Sequence, residues 1–241
     1  MIVETIETKF FGTNTYIIGC LSTRRGAIID PSGNLKEIIA AVDRWKLKVE
    51  YILNTHAHID HVLLNGKLKK LYGAKIAIHE LDAPALTRFR WYLLPVGRAR
   101  LSPPADILLR DGDVIKVGAV EIEVIHTPGH TPGSVCFRHR KKLFTGDTLM
   151  AGAIGRVSLK GDDLETLLRS IKDKLLVLSD DIAVHPGHGP RTTIEIERKY
   201  NPFLRTDEQM LKEFLKNPHK YWKQRALQRE RTAGESKEPT S

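Results

Sequence analysis

Apolar positions along the chain recur with two different periods, which predict alternating strands and helices. A short apolar run at residues 49–54 is typical of a buried strand, and the segment at about 62–72 has the period of a helix. Further strands are predicted by apolar stretches at residues 120–124, 143–145 and 182–184. Longer helical stretches are predicted at about residues 34–46 and 162–176. This alternation favours a layered α/β arrangement over a helical bundle or an all-β barrel.

The most informative polar pattern lies in the loop after the first of these strands. Four potential metal ligands fall within six residues there: His56, His58, Asp60 and His61. In extended backbone, side chains two residues apart point to the same side, so His56 and His58 can approach one metal ion together. Asp60 and His61 follow as the chain turns into the helix, and they point to a neighbouring position. Imidazole nitrogen and carboxylate oxygen suit Zn²⁺, or Fe and Mn, at about 2 Å.

Further histidines and carboxylates follow other predicted strands, at turns rich in glycine and proline. The candidates on these turns are His126, His130, Asp147, His185 and His188. Glycine and proline end a strand and allow close backbone approach, so we expect the ligands at strand ends along one edge of a sheet system. By spacing alone, His126 and His185 compete with His130 and His188. Asp147 has a second interpretation as an ordinary turn residue, which also applies to Asp30 and Asp111.

Cysteine usage excludes two common alternatives. Only Cys20 and Cys136 are present, 116 positions apart and outside any Cys-x-x-Cys motif. A structural zinc finger and a redox dithiol are therefore not supported.

Several ordered motifs together resemble the metallo-β-lactamase superfamily, and within it the glyoxalase II-like hydrolases. They comprise the histidine-rich loop, the three later turns and the amino-terminal segments 12–16 and 29–31, so that the resemblance spans about residues 2–204. The resemblance implies a four-layer αββα sandwich. In this α/β fold, two mixed β-sheets lie face to face, helices cover both outer faces, and metals bind at one edge.

The resemblance also implies two sets of metal ligands and one bridging carboxylate. The ligands of the first metal ion are His56, His58 and His130. The ligands of the second are Asp60, His61 and His188. Asp147 bridges the two ions. The implied cofactors are two divalent metal ions, with zinc expected and iron or manganese as alternatives. The remaining histidines then pack loops (His126 and His185) or lie on the surface (His79, His139 and His219).

The function implied by the resemblance is a dinuclear metal-dependent hydrolase of thioesters, similar to hydroxyacylglutathione hydrolase. A hydroxide that bridges the two metal ions is the expected nucleophile, and Asp60 orients it or takes up its proton. One alternative is a mononuclear iron persulfide dioxygenase, in which the matching ligands are His56, His130 and Asp147. A second alternative is a metal-dependent nuclease, which the positive charge favours, although no nucleic-acid-clamping module is evident.

Composition and charge indicate one folded domain followed by a basic extension. With 241 residues, of which 41% are hydrophobic, the chain can bury a substantial core. The net charge of +9 is uneven, because residues 198–241 hold 11 Lys or Arg against 6 Asp or Glu. We expect a metallo-β-lactamase-like catalytic domain at 1–204 and a basic helical extension with a disordered tail at 205–241. A solvated helix is favoured there over a nucleic-acid-binding arm.

A second basic segment suggests the kind of partner. Residues 88–100 hold four Arg and three aromatic residues but no acid. This segment could bind an anionic small-molecule acyl thioester, or it could form an amphipathic helix that supports a homodimer. Nucleic acid is not an expected partner. We also expect a cytoplasmic protein without membrane contact, because neither a signal peptide nor an apolar stretch near 18 residues is present.

Overall fold

In the computed structural model, residues 1–8, 11–88, 102–157 and 162–205 are described. The first half of the chain forms a mixed six-stranded sheet with the strands in sequence order. Its strands are β1 (Ile2–Glu7), β2 (Asn14–Gly19), β3 (Arg25–Ile29), β4 (Lys48–Leu53), β5 (Lys75–His79) and β6 (Ile107–Leu109). The first three strands pair antiparallel, and β3 to β6 pair parallel.

The second half forms another mixed six-stranded sheet, in the order β14-β13-β10-β9-β8-β7. Its strands are β7 (Val114–Val117), β8 (Val120–His126), β9 (Val135–His139), β10 (Lys142–Gly146), β13 (Ala183–Pro186) and β14 (Thr192–Thr193). Only β10 and β13 pair parallel, and the other neighbours are antiparallel. A small hairpin, β11 (Leu149–Met150) and β12 (Ala153–Ile154), follows β10.

Seven helices connect or flank the strands in the described part of the chain. They are α1 (Leu35–Arg44), α2 (Ile59–Val62), α3 (Asn65–Tyr72), α4 (Ala83–Thr87), α5 (Asp162–Ser170), α6 (Ile194–Tyr200) and α7 (Pro202–Arg205). A π-helical turn, Ile171–Leu175, continues α5. Asn34 begins α1 by accepting a hydrogen bond from the backbone N–H of Glu37, because the first N–H groups of a helix lack partners within it. None of the described helices is long and apolar enough to cross a lipid bilayer.

Three apolar clusters fill the spaces between these layers. Tyr16, Phe137 and Phe144 lie in the central cluster between the two sheets. The outer face of the first sheet packs against α1 and α3, and the outer face of the second packs against α5 and α6. Each sheet contributes to two clusters because successive side chains of a strand point to opposite faces. Along β3, Ala27 and Ile29 lie in the central cluster, while Ile28 lies in the outer one. The molecule is therefore an αββα sandwich, as expected.

The predicted elements agree with the structure except at their boundaries. The single helix predicted at about 62–72 is two helices, α2 and α3, and α2 begins earlier, inside the histidine-rich motif. The stretch predicted at about 162–176 is helical, but its last turn is π-helical and not α-helical. Residues 89–101 and 206–241 lie outside the described residues, and the second of these ranges includes His219. The prediction of two separate units with a boundary at about 204 is therefore untested.

Candidate metal centre

The seven candidate ligands lie at the carboxyl ends of strands, along one edge of the sandwich. His56 and His58 follow β4, and Asp60 and His61 lie in α2. The other three follow β8, β10 and β13; they are His130, Asp147 and His188. The two sheets are joined at this edge by backbone hydrogen bonds from Val135 N to Thr55 O (2.9 Å) and from Asn14 N to Gly187 O (2.7 Å). Loops from both sheets therefore converge on one place.

The first group of side chains consists of His56, His58 and His130. Nε2 of His56 lies 3.0 Å from Nδ1 of His58 and 3.2 Å from Nε2 of His130. Four ligands held at about 2 Å around a tetrahedral ion lie about 3.3 Å apart, so these separations fit the ligand sphere of a metal ion. His58 presents Nδ1 to this group, and the other two histidines present Nε2.

The second group consists of Asp60, His61 and His188. Nε2 of His61 lies 3.4 Å from Nε2 of His188, and Oδ2 of Asp60 lies 3.2 Å from Nε2 of His188. The distance from Oδ2 of Asp60 to Nε2 of His61 is 3.6 Å. These three donors have the spacing of a second ligand sphere beside the first.

Asp147 lies between the two groups and directs one carboxylate oxygen to each. Oδ2 is 3.5 Å from Nε2 of His130, whereas Oδ1 is 3.5 Å from Nε2 of His61 and 3.6 Å from Nε2 of His188. Oδ1 is buried and has no hydrogen-bond partner among the described residues. A buried carboxylate oxygen without a donor is unfavourable unless a cation satisfies it. The donor set therefore fits two divalent ions.

The outward ring nitrogens of three histidines are held by acceptors. Nδ1 of His61 lies 3.0 Å from Oδ2 of Asp30, and Nδ1 of His130 lies 2.7 Å from the backbone oxygen of Arg156. Nδ1 of His188 lies 3.2 Å from the backbone oxygen of Gly12. An oxygen acceptor requires a proton on Nδ1, which leaves the Nε2 lone pair directed at the centre of the cluster. These contacts select the tautomer that can bind metal.

Electrostatics differ between the two groups. Burial, followed by repulsion from His61 and His130, holds the pKa of His56 well below its ordinary value. Burial also lowers the pKa of His58, and His130 adds to the effect. For His61, burial lowers the pKa, but the carboxylates of Asp147, Asp30 and Asp60 outweigh it and raise the pKa to about 9. Negative charge is thus concentrated around His61 of the second group.

Asp60 remains ionised at neutral pH. Burial raises its pKa, but the hydrogen bond with His188 and the nearby charge of His61 lower the pKa further, so that the net shift is downward. The hydroxyl of Thr13 also donates to Oδ2 of Asp60 at 3.3 Å. A carboxylate at this position can accept a hydrogen bond from a water molecule or bind a cation.

Close approach of the loops requires glycine at two positions beside the cluster. A Cβ atom on Gly187 would lie 2.3 Å from Oδ1 of Asp147, and one on Gly155 would lie 2.8 Å from the ring of His130. Neither distance is compatible with a side chain. Glycine at these two positions is therefore a packing requirement of the cluster.

Asp30 is a site residue that sequence reasoning missed. Its backbone bends with a φ of 48°, in keeping with a turn residue, but its side chain is 2% exposed and accepts hydrogen bonds from Thr55 and His61. The interpretation as an ordinary turn residue is therefore incomplete. Its position directly after β3, at the same edge as the other strand ends, is the signal that could have identified it. Asp111, by contrast, does lie in an exposed turn.

Four further histidines in the described part of the chain lie outside the cluster. The prediction that His79 lies on the surface is wrong, because it is 4% exposed and its ring stacks on that of His126 at 4.0 Å. His185 is buried between the rings of Tyr16 and Phe144. His126 and His185 belong to neither of the two ligand groups, consistent with their predicted role in packing. His139 is partly exposed.

Comparison with known proteins agrees with this geometry. The family model described as the metallo-beta-lactamase superfamily matches residues 8–188. The chain belongs to the metallo-β-lactamase superfamily. Among curated superfamily proteins, the hydroxyacylglutathione hydrolase GloC of Haemophilus influenzae is 38% identical, and the match covers 85% of this chain and 98% of that protein.

Solved structures of superfamily members share the fold. BLEG-1, a B3 metallo-β-lactamase, has a TM-score of 0.76 and 34% identity over 85% of this chain and all of its own. ETHE1 from Myxococcus xanthus has a TM-score of 0.75 and 26% identity over 91% of this chain and 92% of its own. TTHA1623, solved in a di-iron-bound form, has a TM-score of 0.71 and 33% identity over 85% of this chain and all of its own.

Proposed function

We propose that this superfamily member is a dinuclear metal-dependent hydrolase of acyl thioesters, similar to hydroxyacylglutathione hydrolase. The observation that carries the proposal is the position of Asp147, whose Oδ2 faces His130 while Oδ1 faces His61 and His188. A carboxylate that directs one oxygen to each of two adjacent ligand groups can bridge two metal ions. We assign His56, His58 and His130 to the first ion. We assign Asp60, His61 and His188 to the second ion.

We propose zinc as the native metal, with iron or manganese as alternatives. The proposed ligands are imidazole nitrogens and carboxylate oxygens without thiolate, and such a set accommodates all three metals. The relative TTHA1623 binds two irons, which supports iron as the first alternative to test. Two divalent cations, when bound in such a site, acidify a water molecule and polarise a substrate carbonyl.

The chain's own residues orient the reacting groups. Asp60 is ionised and part-exposed at the cluster, so it can accept a hydrogen bond from the attacking water and direct its lone pair to the substrate carbonyl. Thr13 fixes this carboxylate through its hydroxyl. The backbone oxygens of Gly12 and Arg156 and the carboxylate of Asp30 keep the histidine tautomers that leave Nε2 free for metal.

A thioester substrate is proposed from the relative GloC, whose name states hydroxyacylglutathione hydrolysis. The proposed leaving group is an anionic thiol. The arginine-rich segment at 88–100 is a candidate for binding it, although all but Arg88 of that segment lies outside the described residues.

The decisive experiment combines metal analysis with turnover. The purified full chain is loaded with Zn²⁺, Fe²⁺ or Mn²⁺ and assayed with S-lactoylglutathione and a panel of acyl thioesters. We expect two metal equivalents and hydrolysis of at least one thioester. The variants His58→Ala and Asp60→Ala should lose turnover while retaining the fold by circular dichroism. A protein with two bound metals that hydrolyses none of these thioesters would contradict the proposal.

The second candidate function is oxidation of a persulfide at a single iron. The likeness to ETHE1 favours it, and His56, His130 and Asp147 lie within reach of one ion. Against it stands the second group, in which Asp30 and Gly12 orient both histidines although a single-iron site does not need them. Oxygen consumption with glutathione persulfide by a protein that holds one iron would establish this alternative and exclude the first.

A further inference from the structure

Asp82 is a buried carboxylate that belongs to neither candidate ligand group. It directly precedes α4 and is 4% exposed. Burying a charged carboxylate is unfavourable unless donors surround it. The identity of its donors therefore indicates what this side chain does.

Among the described residues, the three donors to the Asp82 carboxylate all lie on the two loops that carry the first histidine group. Oδ2 accepts from the backbone N–H of Ala57 at 3.0 Å, and Ala57 lies between His56 and His58. The same oxygen accepts from the hydroxyl of Thr131 at 2.8 Å, and Oδ1 accepts from the backbone N–H of Gly133 at 2.8 Å. One carboxylate thus ties the loop after β4 to the loop after β8.

The loop after β8 is shaped for this contact. A Cβ atom on Gly133 would lie 2.6 Å from the backbone nitrogen of Asp82 and 2.8 Å from its Cβ, so only glycine allows the approach. Ser134 braces the same loop, because its hydroxyl lies 2.7 Å from that of Thr131 and accepts from the backbone N–H of Thr131 at 3.0 Å. The Asp82 contact is therefore supported by the surrounding backbone and does not depend on one flexible side chain.

The second group depends on different residues. Asp30 holds Nδ1 of His61, and the backbone oxygen of Gly12 holds Nδ1 of His188. Within the described part of the chain, no hydrogen bond of Asp82 reaches a residue of that group. Loss of Asp82 should consequently affect one metal site and spare the other.

We propose that Asp82 is a positioning residue that sets the mutual geometry of His56, His58 and His130, and so the affinity of the first metal site. This inference rests on the proposed metal centre. The hydrogen bonds of Asp82 go to Ala57, Thr131 and Gly133, none of which is a proposed ligand, so no chemical step is assigned to Asp82. Residues that orient ligands from outside typically change metal affinity about 10- to 100-fold when they are removed.

The test measures each site alone in the full-length protein. His188→Ala removes a ligand of the second site and leaves the first, and His58→Ala does the reverse. Asp82→Ala is added to each background, and the metal-free proteins are titrated with Zn²⁺ by calorimetry and with Co²⁺ by visible absorption. We expect the affinity to fall about 10- to 100-fold in the His188→Ala background and by less than about threefold in the His58→Ala background.

Asp106→Ala is the matched control. Asp106 also accepts from a backbone N–H, that of Ile76 at 2.8 Å, and it pairs with Lys69, but none of its recorded contacts involves a ligand loop. We expect unchanged affinity in both backgrounds. Thr131→Val, which removes one donor to Asp82 with little change of shape, should give a smaller loss confined to the first site. This variant keeps the test decisive even if Asp82→Ala does not fold.

Two results would overturn the role of Asp82. One is an equal loss at both sites, which would mean that Asp82 only stabilises the fold. The other is unchanged affinity at the first site in both Asp82→Ala and Thr131→Val. The protein without substitutions separates this failure from that of the proposed function: if it binds fewer than two metal ions, the dinuclear proposal itself is wrong.

Discussion

The Oδ2 atom of Asp30 lies 3.0 Å from the Nδ1 atom of His61, and both side chains are buried. The same carboxylate accepts from the backbone N–H of Thr55 at 2.7 Å and from its hydroxyl at 2.6 Å. That hydroxyl in turn lies 3.1 Å from Nδ1 of His56. One carboxylate therefore reaches His61 directly and His56 through Thr55, so it connects both candidate ligand groups.

Replacing Asp30 by asparagine should weaken metal binding without changing the backbone. Asparagine tolerates the positive φ of 48° at this position. It removes the negative charge and places an amide donor where an oxygen accepted hydrogen bonds. We expect metal affinity and turnover to fall about 10- to 100-fold, measured by dialysis against chelator and by thioester hydrolysis. Asp111 is a carboxylate in an exposed turn, so Asp111→Asn is the control. Its metal affinity and turnover should equal those of the unsubstituted protein. Full metal content in Asp30→Asn would refute the role of Asp30.

Replacing Asp147 by asparagine should separate the two metal sites. The variant keeps one carbonyl oxygen but loses the second oxygen ligand, so it can serve one of the two groups. We expect bound metal to fall from two equivalents towards one, measured by elemental analysis after exhaustive dialysis. Two tightly bound equivalents in this variant would show that Asp147 does not bridge the ions.

Two glycines on one loop provide a matched pair of substitutions. In Gly187→Ala, the new Cβ would lie 2.3 Å from Oδ1 of Asp147, and the loop cannot easily retreat because Gly187 N–H donates to Gly146 O at 2.7 Å. In Gly189→Ala, nothing lies within 4 Å of the new Cβ, but the φ of +77° is unfavourable. We expect Gly187→Ala to lose metal affinity about tenfold or more. Gly189→Ala should destabilise the fold by roughly 1 kcal/mol and still bind metal.

Thermal denaturation and metal titration of both variants distinguish these effects. A Gly187→Ala protein with normal affinity, or a Gly189→Ala protein that loses metal, would contradict the assignment of the clash to Asp147.

His185 should make the folded protein sensitive to acid. Burial, with added repulsion from Arg191 and Lys142, lowers its pKa from 6.5 to about 4, and neither ring nitrogen has a hydrogen-bond partner among the described residues. The unfolded chain therefore binds a proton at higher pH than the folded protein does. The contribution of His185 to the free energy of unfolding is constant above about pH 6.5. The free energy of unfolding then decreases as the pH falls from there to about 4. At about 1.4 kcal/mol per pH unit, this loss is on the order of 3 kcal/mol.

The variant His185→Phe should remove this dependence. Phenylalanine can retain the ring contacts with Phe144 and Tyr16, and it gives up no hydrogen bond that the structure records. We expect similar stability at pH 8 and a flatter profile between pH 6.5 and 4, measured by urea denaturation of the metal-free protein. Parallel profiles for the variant and the unsubstituted protein would show that another group causes the acid sensitivity.

The sequence anticipated the elements whose signals are local. The period of the apolar residues placed the strand β4 and the helix α1 to within two residues, because burial on one or both faces leaves its mark on successive positions. The spacing of His56, His58, Asp60 and His61 placed a ligand-rich loop after β4, since a strand that ends at a turn presents neighbouring side chains to one point. Resemblance then supplied the order in which His130, Asp147 and His188 follow.

Only the tertiary structure decided which side chains surround that loop. Asp30 has the local pattern of a turn residue, and His79 has that of a surface residue, yet one supports His61 and the other is buried against His126. Asp82 carries no sequence signal at all, although it joins the loops of His56 and His130. These contacts connect residues 25 to 51 positions apart. Such pairings arise when two sheets pack, and the identity of a partner across a sheet edge is not encoded in the neighbours of either residue.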